Sequence, residues 1–404
     1  MKNIASLAAL AWHYLWSRPL AAVLNLLLLS LGLASITLVL LVSAQVDRAF
    51  ERDLAGIDLV VGAKGSPLQL ILAGVFHIDV PPGNIPLAEV QALQHHPQVA
   101  QLIPLSLGDS FRAFRIVGTT ADYPAHYQAT LAQGRAWAQP MEAVLGAQVA
   151  QATGLAPGAQ FIGSHGLGGG GHAHGDTPYR AVGVLAPCGC VLDRLILTAT
   201  ESVWLVHEKA TAVDVEDREA LEAEREVTLA LIRYRSPLAA VTFPRFVNTT
   251  TDLQAAAPAV EITRLLRLLG VGSEVLRGFA LVLLLAAGLS VFIALWSAVR
   301  ERRADLALLR LLGAPPRRVA GLLLCEALWL AALATLLGLA GGHLLTGLVG
   351  WLLQAERSLP LTGWLWLPTE WVVPLAAAGV AALAALIPAV HAYRMDVAQL
   401  LNTR

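Results

Sequence analysis

Histidines and cysteines, which are residue types that bind transition metals, are concentrated in one short part of this chain. Residues 163–176 read GSHGLGGGGHAHGD, which places His165, His172, His174 and Asp176 in a glycine-rich loop. Neutral imidazoles are good ligands for borderline ions such as Zn(II), and glycines let a loop fold around an ion. The pattern predicts a zinc site in this loop, although Gly/His-rich loops are also typical of linkers.

Two cysteines, Cys188 and Cys190, follow shortly after this loop and are separated by one glycine. In an extended segment, residues two apart point the same way, so both sulfurs could bind one soft or borderline metal ion. A disulfide in so short a ring would be strained, although an oxidising compartment would permit one. His207, in the helical segment WLVHE, could converge on the same place. Joint metal coordination and a turn with two unbonded thiols both stay open.

Motifs of enzymes are absent from the sequence. We find no H-E-x-x-H or G-x-S-x-G pattern, and the segment GAKGS at 62–66 lacks the spacing of a phosphate-binding G-x-x-x-x-G-K-[ST] loop. The net charge is −1, without a basic stripe, so nothing favours nucleic acid as a partner. The sequence predicts no catalytic residues in this chain.

Long apolar stretches predict an integral membrane protein. The chain is 56% hydrophobic and 14% charged, with a mean hydropathy of +0.61. The stretches 19–46, 278–300, 327–355 and 371–390 each reach the roughly 20 residues that cross about 30 Å of hydrocarbon. A long, mostly polar interval separates the first two. The predicted fold class is an α-helical membrane protein with four transmembrane helices and a large α+β extracytoplasmic domain between the first and second.

Positive charges indicate how the chain is oriented. Lys2 and Arg18 precede the first span, an arginine-rich segment joins the second and third, and Arg394 and Arg404 follow the fourth. Short loops rich in Lys and Arg stay cytoplasmic during insertion. Both termini are therefore predicted in the cytoplasm and the large domain outside it. The first span, which lacks an A-x-A-like cleavage site, is expected to stay as an anchor.

The predicted segments follow one another along the chain. They are an interfacial helix beside membrane lipids at 1–18, the first span at 19–46, the exported α+β domain of two lobes at 47–270, the second span at 271–300, a cytoplasmic coupling segment at 301–318, the third span at 319–355, a short outer loop at 356–370, the fourth span at 371–392 and a cytoplasmic tail at 393–404. Strands within the domain are predicted at 99–105, 110–118, 180–185, 194–198 and 227–234, and helices at 87–95, 142–153 and 215–226.

The junction between the second and third spans, residues 300–330, reads RERRADLALLRLLGAPPRRVAGLLLCEALWL. A basic amphipathic helix is predicted over 300–312, with a break at Gly313-Ala314-Pro315-Pro316. Topology and lipid headgroups would explain the arginines alone, whereas leucines at a cytoplasmic face favour a docking surface for a cytosolic partner. The candidate coupling residues are Arg300, Arg302, Arg303, Leu308, Leu309, Arg310, Gly313 and Arg317.

Polar residues inside the third span have structural explanations. Glu326 lies near its inner end, where we expect it to pair with an arginine of the junction. His343 is expected to make one helix-packing hydrogen bond, and Gly338, Gly341 and Gly342 to permit close helix packing.

Three elements resemble the FtsX/MacB-like ABC transporter permeases of the mechanotransmission type. The first is the junction at 300–330, and the second is the segment VLGAQVAQATGLAPGAQF at 144–161. The third is the order of the segments, in which one span and a large domain precede three spans. The terminal MDVAQLL at 395–401 also resembles the cytoplasmic tail of this family. The resemblance implies a homodimer in a bacterial inner membrane, paired through the first two spans. It also implies separate cytosolic ATPase subunits that hold ATP and Mg²⁺.

The function that the resemblance implies is the coupling of ATP hydrolysis to movement of the periplasmic domains. From the histidine loop we expect this movement to serve a zinc-linked export or envelope process, with a periplasmic protein as a further partner. Two alternatives stay open: a transmembrane regulator of an envelope enzyme without transport, and a metal-sensing membrane receptor without an ATPase. The docking junction favours the first two functions over the receptor.

Overall fold

The computed structural model describes residues 2–166, 177–211, 222, 224–354 and 361–394. The chain divides into two compact units. The membrane unit comprises Met1–Val46 with Leu269–Arg404, and the domain unit comprises Asp47–Leu268.

The helices are numbered along the chain. They are α1 Lys2–Trp16, α2 Pro19–Leu54, α3 Pro67–Gly74, α4 Leu87–Gln94, α5 Asp122–His126, α6 Ala147–Thr153, α7 Thr200–Thr211, α8 Ala239–Thr250, α9 Pro258–Glu301, α10 Arg303–Leu311, α11 Pro316–Gln354 and α12 Val372–Tyr393, with 3-10 turns at Val191–Arg194 and Pro368–Trp371.

Long apolar helices dominate the membrane unit. In the described part of the chain, the helices long and apolar enough to cross a bilayer are Pro19–Leu54, Glu274–Glu301, Pro316–Leu353 and Pro368–Tyr393. These confirm the four predicted spans. The short helix α1 packs against α11, where Trp12 contacts Trp329 at 5.1 Å between ring centroids. The Trp329 indole also donates a hydrogen bond to the Ala8 carbonyl at 3.0 Å.

Glycines on α11 bring it close to α2. A Cβ on Gly338 would lie 2.6 Å from the Leu33 Cβ, and a Cβ on Gly342 would collide with Thr37. Leu33 and Thr37 are fully buried. Small residues permit such close approach between helices in lipid.

Replacing Gly338 with alanine is therefore expected to destabilise the protein by about 1–3 kcal/mol, since the added methyl overpacks a closed interface. Thermal unfolding in detergent measures this loss. Gly379→Ala on α12 is the matched control, because a Cβ there meets nothing within 4 Å; it should be neutral or slightly stabilising through helix propensity. Equal effects of the two variants would contradict the close packing.

The domain unit is built on one large mixed sheet. Its strands are β1 Leu59–Ala63, β2 Ile85–Pro86, β3 Val99–Phe111, β4 Phe114–Thr119, β5 Leu131–Gly134, β6 Glu142–Leu145, β7 Gln160–Phe161, β8 Ser164–His165, β9 Tyr179–Leu185, β10 Leu195–Ala199, β11 Glu226–Val227, β12 Leu229–Tyr234 and β13 Leu253–Ala256.

Strand order in the large sheet is β13-β1-β12-β3-β4-β10-β6-β9-β5, with β7 on β9, β8 on β3, and β2 and β11 as a separate pair. The β4–β10 and β6–β9 pairs are parallel. The first half of the long strand β3 pairs with β12 and its second half with β4. Strand β3 therefore joins two groups of strands in one sheet.

Several local predictions need correction. Residues 142–153 form strand β6 followed by helix α6, not one helix. Strand β6 pairs with β9 along one edge and with β10 along the other, and its Val144 and Leu145 are buried. The strand predicted at 110–118 is interrupted, because residues 110–111 end β3, residues 114–118 belong to β4, and Arg112 and Ala113 between them form a turn with positive φ. The helix predicted at 215–226 lies mostly outside the described residues. Gly154, at φ +71°, ends α6 as predicted.

Candidate functional site

Helix α10, within the predicted coupling segment, carries apolar side chains on two faces. Leu306 and Ala307 are buried, and Leu309 packs against the core of the membrane unit. Three other leucines are exposed to 57%, 60% and 79% of their surface. These are Leu308, Leu311 and Leu312, which we call the leucine strip. The exposed surface differs from the predicted one, since Leu309 faces inward and Leu311 and Leu312 replace it.

Both ends of α10 are set by local geometry. The continuous helix predicted over 300–312 is instead interrupted at Arg302, which lies between α9 and α10 with φ −93° and ψ 20°. At the other end, Gly313 has φ +91°, a left-handed conformation that favours glycine. Pro316 then begins α11. The leucine strip is thus held on a short helix between two breaks.

Arg302 braces the start of α10. Its guanidinium donates hydrogen bonds to the Tyr14 carbonyl at 2.9 Å and the Ser17 hydroxyl at 2.6 Å. It lies 4.6 Å from the centre of the Tyr14 ring and 3.5 Å from a carboxylate oxygen of Glu326. The Arg302 and Glu326 side chains are only 13% and 8% exposed. The predicted pairing of Glu326 with a junction arginine is confirmed, and Arg302 faces inward.

A cavity of about 380 Å³, with both apolar and polar lining residues, adjoins this brace. Arg18 forms an ion pair with Glu301 on its wall. Elsewhere in the same wall, the Ser290 hydroxyl donates a hydrogen bond to the Asn25 side-chain oxygen at 2.6 Å. Sequence reasoning missed both pairs. Isolated polar groups are costly within a bilayer, so the polar residues Asn25 and Ser290 inside apolar stretches were a sequence signal for the second pair.

The other predicted coupling residues lie around α10. Arg300, Arg303, Gly313 and Arg317 are exposed, and Arg310 is half-buried. Positive side chains therefore flank the leucine strip on the segment that joins α9 to α11. Such a surface combines apolar contact area with charges that can meet acidic groups of a partner.

A second polar cluster of the membrane unit centres on His343. Its Nδ1 lies 2.7 Å from the Gly363 carbonyl oxygen and its Nε2 lies 3.1 Å from Oε2 of Glu370. The Gly363 carbonyl can only accept a hydrogen bond, so Nδ1 of His343 carries the proton in that contact. The contact between Nε2 and Glu370 needs a second proton, which is on either Nε2 or the carboxyl group. His343 thus has two partners where one was predicted. The Gln45 amide adds two hydrogen bonds with the Thr362 backbone, at 3.0 and 2.8 Å.

Replacing Glu370 with alanine is expected to lower the unfolding midpoint, because it leaves one nitrogen of the half-buried His343 without this partner. The lost stability should be about 1–3 kcal/mol. Thermal unfolding in detergent provides the measurement, with Glu370→Gln as the conservative control, because its amide can donate to or accept from Nε2. An alanine variant as stable as the parent would show that this contact does not brace the unit.

The predicted metal ligands are distributed as follows. His165 lies in β8, exposed, with its Nδ1 3.1 Å from a carboxylate oxygen of the buried Asp109. His172, His174 and Asp176 lie outside the described residues, and His207 lies in α7. Among the described residues, no group of three or more His, Cys, Asp or Glu side chains is placed to hold a metal ion.

The cysteines require a correction. Cys188 and Cys190 are joined by a disulfide, which removes both sulfurs as thiolate ligands in this oxidised form. The predicted shared site required an extended segment with both cysteine side chains on one side. Gly189 instead has φ +63°, so the chain turns between the two cysteines. The predicted joint coordination by loop histidines and cysteines therefore finds no support in the structure.

Comparisons with known proteins agree with this architecture. The model of the MacB-like periplasmic core domain matches residues 22–237, more than half of the chain, and that of the FtsX-like permease C-terminal region matches residues 277–397. Fold and matches define a multi-span membrane protein with a large α/β domain between its first two spans. The chain belongs to the FtsX/MacB-like family of ABC transporter permeases, which is the predicted family.

Individual relatives are distant. The pyoverdine export ATP-binding/permease protein PvdT of Pseudomonas putida is 26% identical over 193 residues, which are 44% of this chain and 27% of that protein. The chain thus spans about a quarter of that relative's length. The periplasmic region of MacB from Actinobacillus actinomycetemcomitans aligns over 52% of this chain and 95% of its own, with 13% identity and a TM-score of 0.35. The extracellular domain of YknZ from Gram-positive bacteria aligns over 49% and 98%, with 12% identity and a TM-score of 0.30.

Proposed function

We propose that this chain is the permease subunit of an inner-membrane ABC complex, with cytoplasmic termini and a separate cytosolic ATPase as its partner. ATP and Mg²⁺ would be bound by that partner, and hydrolysis would drive movement of the periplasmic domain. The observation that carries the proposal is the leucine strip. Three large apolar side chains are exposed on a helix between arginines, in the segment that the charge distribution assigns to the cytoplasm.

Affinity purification of the tagged full-length chain from its native membranes tests this proposal. We expect a stoichiometric cytosolic subunit that hydrolyses ATP, and an increase in its turnover on association. A chain that purifies from intact membranes without any nucleotide-hydrolysing subunit would favour the metal-sensing receptor instead. A regulator of an envelope enzyme would use the same coupling to an ATPase. It would differ from a transporter only in what its periplasmic domain contacts.

We further propose that two copies pair through α2 and α9. Helix α2 presents exposed apolar residues spaced three or four apart, with buried residues between them. The exposed face contains Leu20, Val23, Leu24, Leu27 and Leu31. Helix α9 presents a similar face with Phe279, Val282, Leu285, Leu289 and Ile293. Each face is left uncovered within its own membrane unit, as a subunit interface requires.

Single cysteines at Val23, Leu27 and Leu31 are expected to crosslink between two copies in native membranes. The background carries Cys325→Ser, since Cys325 is the free cysteine. Cysteines at Ala22, Leu29 and Leu33, which are buried inside the unit, serve as controls and should not crosslink. Crosslinking that is absent from both sets, with normal expression, would show that the subunits meet elsewhere.

The histidine loop is proposed to bind Zn(II), in support of a zinc-linked export or envelope process. His165 and Asp109 provide one donor pair at the described edge of the loop. Titration calorimetry on the full-length protein should show zinc binding that is lost when His165, His172 and His174 are changed together to alanine. His95→Ala with His96→Ala is the histidine-matched control. Undiminished binding by the triple variant would make the loop a linker.

A further inference from the structure

The Cys188–Cys190 disulfide closes a very small loop, since the two residues are separated by two positions in sequence. A disulfide stabilises a fold mainly by restricting the unfolded chain, and the effect grows with the length of the loop that it closes. This bond joins no distant segments. Stabilisation of the domain unit is therefore not a sufficient explanation for this disulfide.

The two sulfurs differ in accessibility. Cys190 is 7% exposed, whereas Cys188 is half-buried and lies beside the exposed Gly189. Disulfide exchange begins with the attack of a thiolate on one sulfur, so access decides which sulfur is attacked. Cys188 is the sulfur that an incoming thiolate can reach, and Cys190 is the leaving group.

Asp193 holds the turn independently of the disulfide. Its buried carboxylate accepts hydrogen bonds from the Cys188 backbone N–H at 3.0 Å and the Gly189 N–H at 2.7 Å. One of its oxygens also lies 3.4 Å from the Cys188 sulfur. After reduction, the Cys188 thiol can donate a hydrogen bond to that oxygen. The backbone contacts can then persist, so the fold can accommodate the dithiol form.

The same turn contacts the end of α2. The Arg52 guanidinium donates a hydrogen bond to the Gly189 carbonyl. The Asp53 carboxylate, which is buried, accepts a hydrogen bond from the Val191 N–H at 2.9 Å. Opening the ring removes the covalent restraint across Gly189, whose carbonyl accepts the Arg52 hydrogen bond. The redox state of the two cysteines is thereby linked to the last turn of α2.

We propose that Cys188 and Cys190 form a thiol–disulfide exchange site for a protein dithiol. The partner's thiolate attacks the Cys188 sulfur, the Cys188–Cys190 bond breaks, and Cys190 leaves as a thiolate that takes up a proton. The partner's second thiolate then attacks the partner's first sulfur in the mixed disulfide, and Cys188 leaves as a thiolate that also takes up a proton. The partner dithiol loses two electrons and becomes a disulfide, and the two cysteines gain them. A partner disulfide reverses the reaction.

The first test uses the full-length Cys325→Ser protein in detergent, with dithiothreitol as the dithiol probe. Acid quenching, alkylation and intact mass count the free thiols, while tryptophan fluorescence reports folding. We expect two alkyl groups to be added at dithiothreitol concentrations that leave the fluorescence and the unfolding midpoint nearly unchanged. Hydrogen exchange should increase at residues 47–54 on reduction, but not in the control helix α8. Reduction that occurs only when the protein unfolds would overturn the proposal.

The second test compares the two single variants in the same background, with glutathione disulfide as the probe. Cys190→Ser leaves the accessible Cys188 thiol, and Cys188→Ser leaves the buried Cys190 thiol. We expect the glutathione adduct to form at least about tenfold faster on Cys188, because access limits the exchange. Equal rates, or a faster Cys190, would overturn the assignment of Cys188 as the reacting sulfur. Neither test depends on an ATPase, so failure here is distinguishable from failure of the proposed function.

Discussion

Changing Leu308 and Leu311 together to aspartate is expected to abolish copurification of the cytosolic ATPase. Both side chains are more than half exposed on α10, so the substitution removes apolar contact area without disturbing the core of the membrane unit. Truncation of a central interface residue often costs 2 kcal/mol or more, and each 1.4 kcal/mol is a factor of ten in affinity. Two charged replacements should therefore weaken binding by more than about 100-fold. Quantitative pull-down from membranes measures the loss.

Leu238→Asp with Val241→Asp is the matched control. These two apolar residues of the domain unit are 69% and 76% exposed, and the variant introduces the same charge. It should insert in the membrane and copurify the ATPase at the parental level. Retention of the ATPase by the Leu308 and Leu311 variant, at normal expression, would remove the leucine strip from the account. Leu309 is unsuitable for this test, because it packs against the core.

Removing the Arg302 side chain is expected to have the largest effect on stability. Arg302→Met leaves Glu326 buried beside an uncharged neighbour, and breaking a buried ion pair in this way typically costs about 3–5 kcal/mol. The same change removes the contacts of Arg302 with Tyr14 and Ser17. Denaturant unfolding in detergent, followed by tryptophan fluorescence, gives the free energy of unfolding.

The control is the double variant Arg302→Met with Glu326→Met. An apolar pair of similar volume often replaces a buried ion pair at little cost, so the double variant should recover much of the lost stability. A double variant that is no more stable than Arg302→Met alone would show that the hydrogen bonds to Tyr14 and Ser17, rather than the buried carboxylate, determine the loss.

The sequence was sufficient for the spans and the general position of the domain. Four apolar stretches of membrane length leave little choice of structure, since the backbone in lipid must satisfy its own hydrogen bonds. The residues that end helices were also readable, because Gly154 and Gly313 adopt positive φ where the side chains of other residues are disfavoured. These features depend on local chemistry alone.

Pairings across the chain could not be read in the same way. The segment 142–153 contains good helix formers, and its first part is a strand because it pairs with β9 and β10. The inward orientation of Arg302 depends on Tyr14 and Ser17, which lie 288 and 285 positions away. Glu370 was overlooked as the partner of His343, although an acidic residue at the edge of an apolar stretch is a signal worth following.

The disulfide was misjudged for a local reason. Parallel side chains two residues apart are a property of an extended strand, and a glycine between two cysteines permits a different backbone. Gly189 adopts φ +63°, and Asp193 holds the amides of the turn. A Cys-Gly-Cys segment followed by an acidic residue thus deserves to be considered as a closed turn as well as a pair of metal ligands.

If a separate ATPase moves the periplasmic domain through this chain, the distance between the two domains of a dimer must depend on the bound nucleotide. A spin label on Val241→Cys, an exposed position of α8, in the Cys325→Ser background measures the distance between the two domains of a dimer by pulsed electron paramagnetic resonance. With the ATPase bound, we expect the distance distribution to shift by several ångströms between the nucleotide-free and ATP-trapped states. Superimposable distributions in a complex that hydrolyses ATP would contradict it.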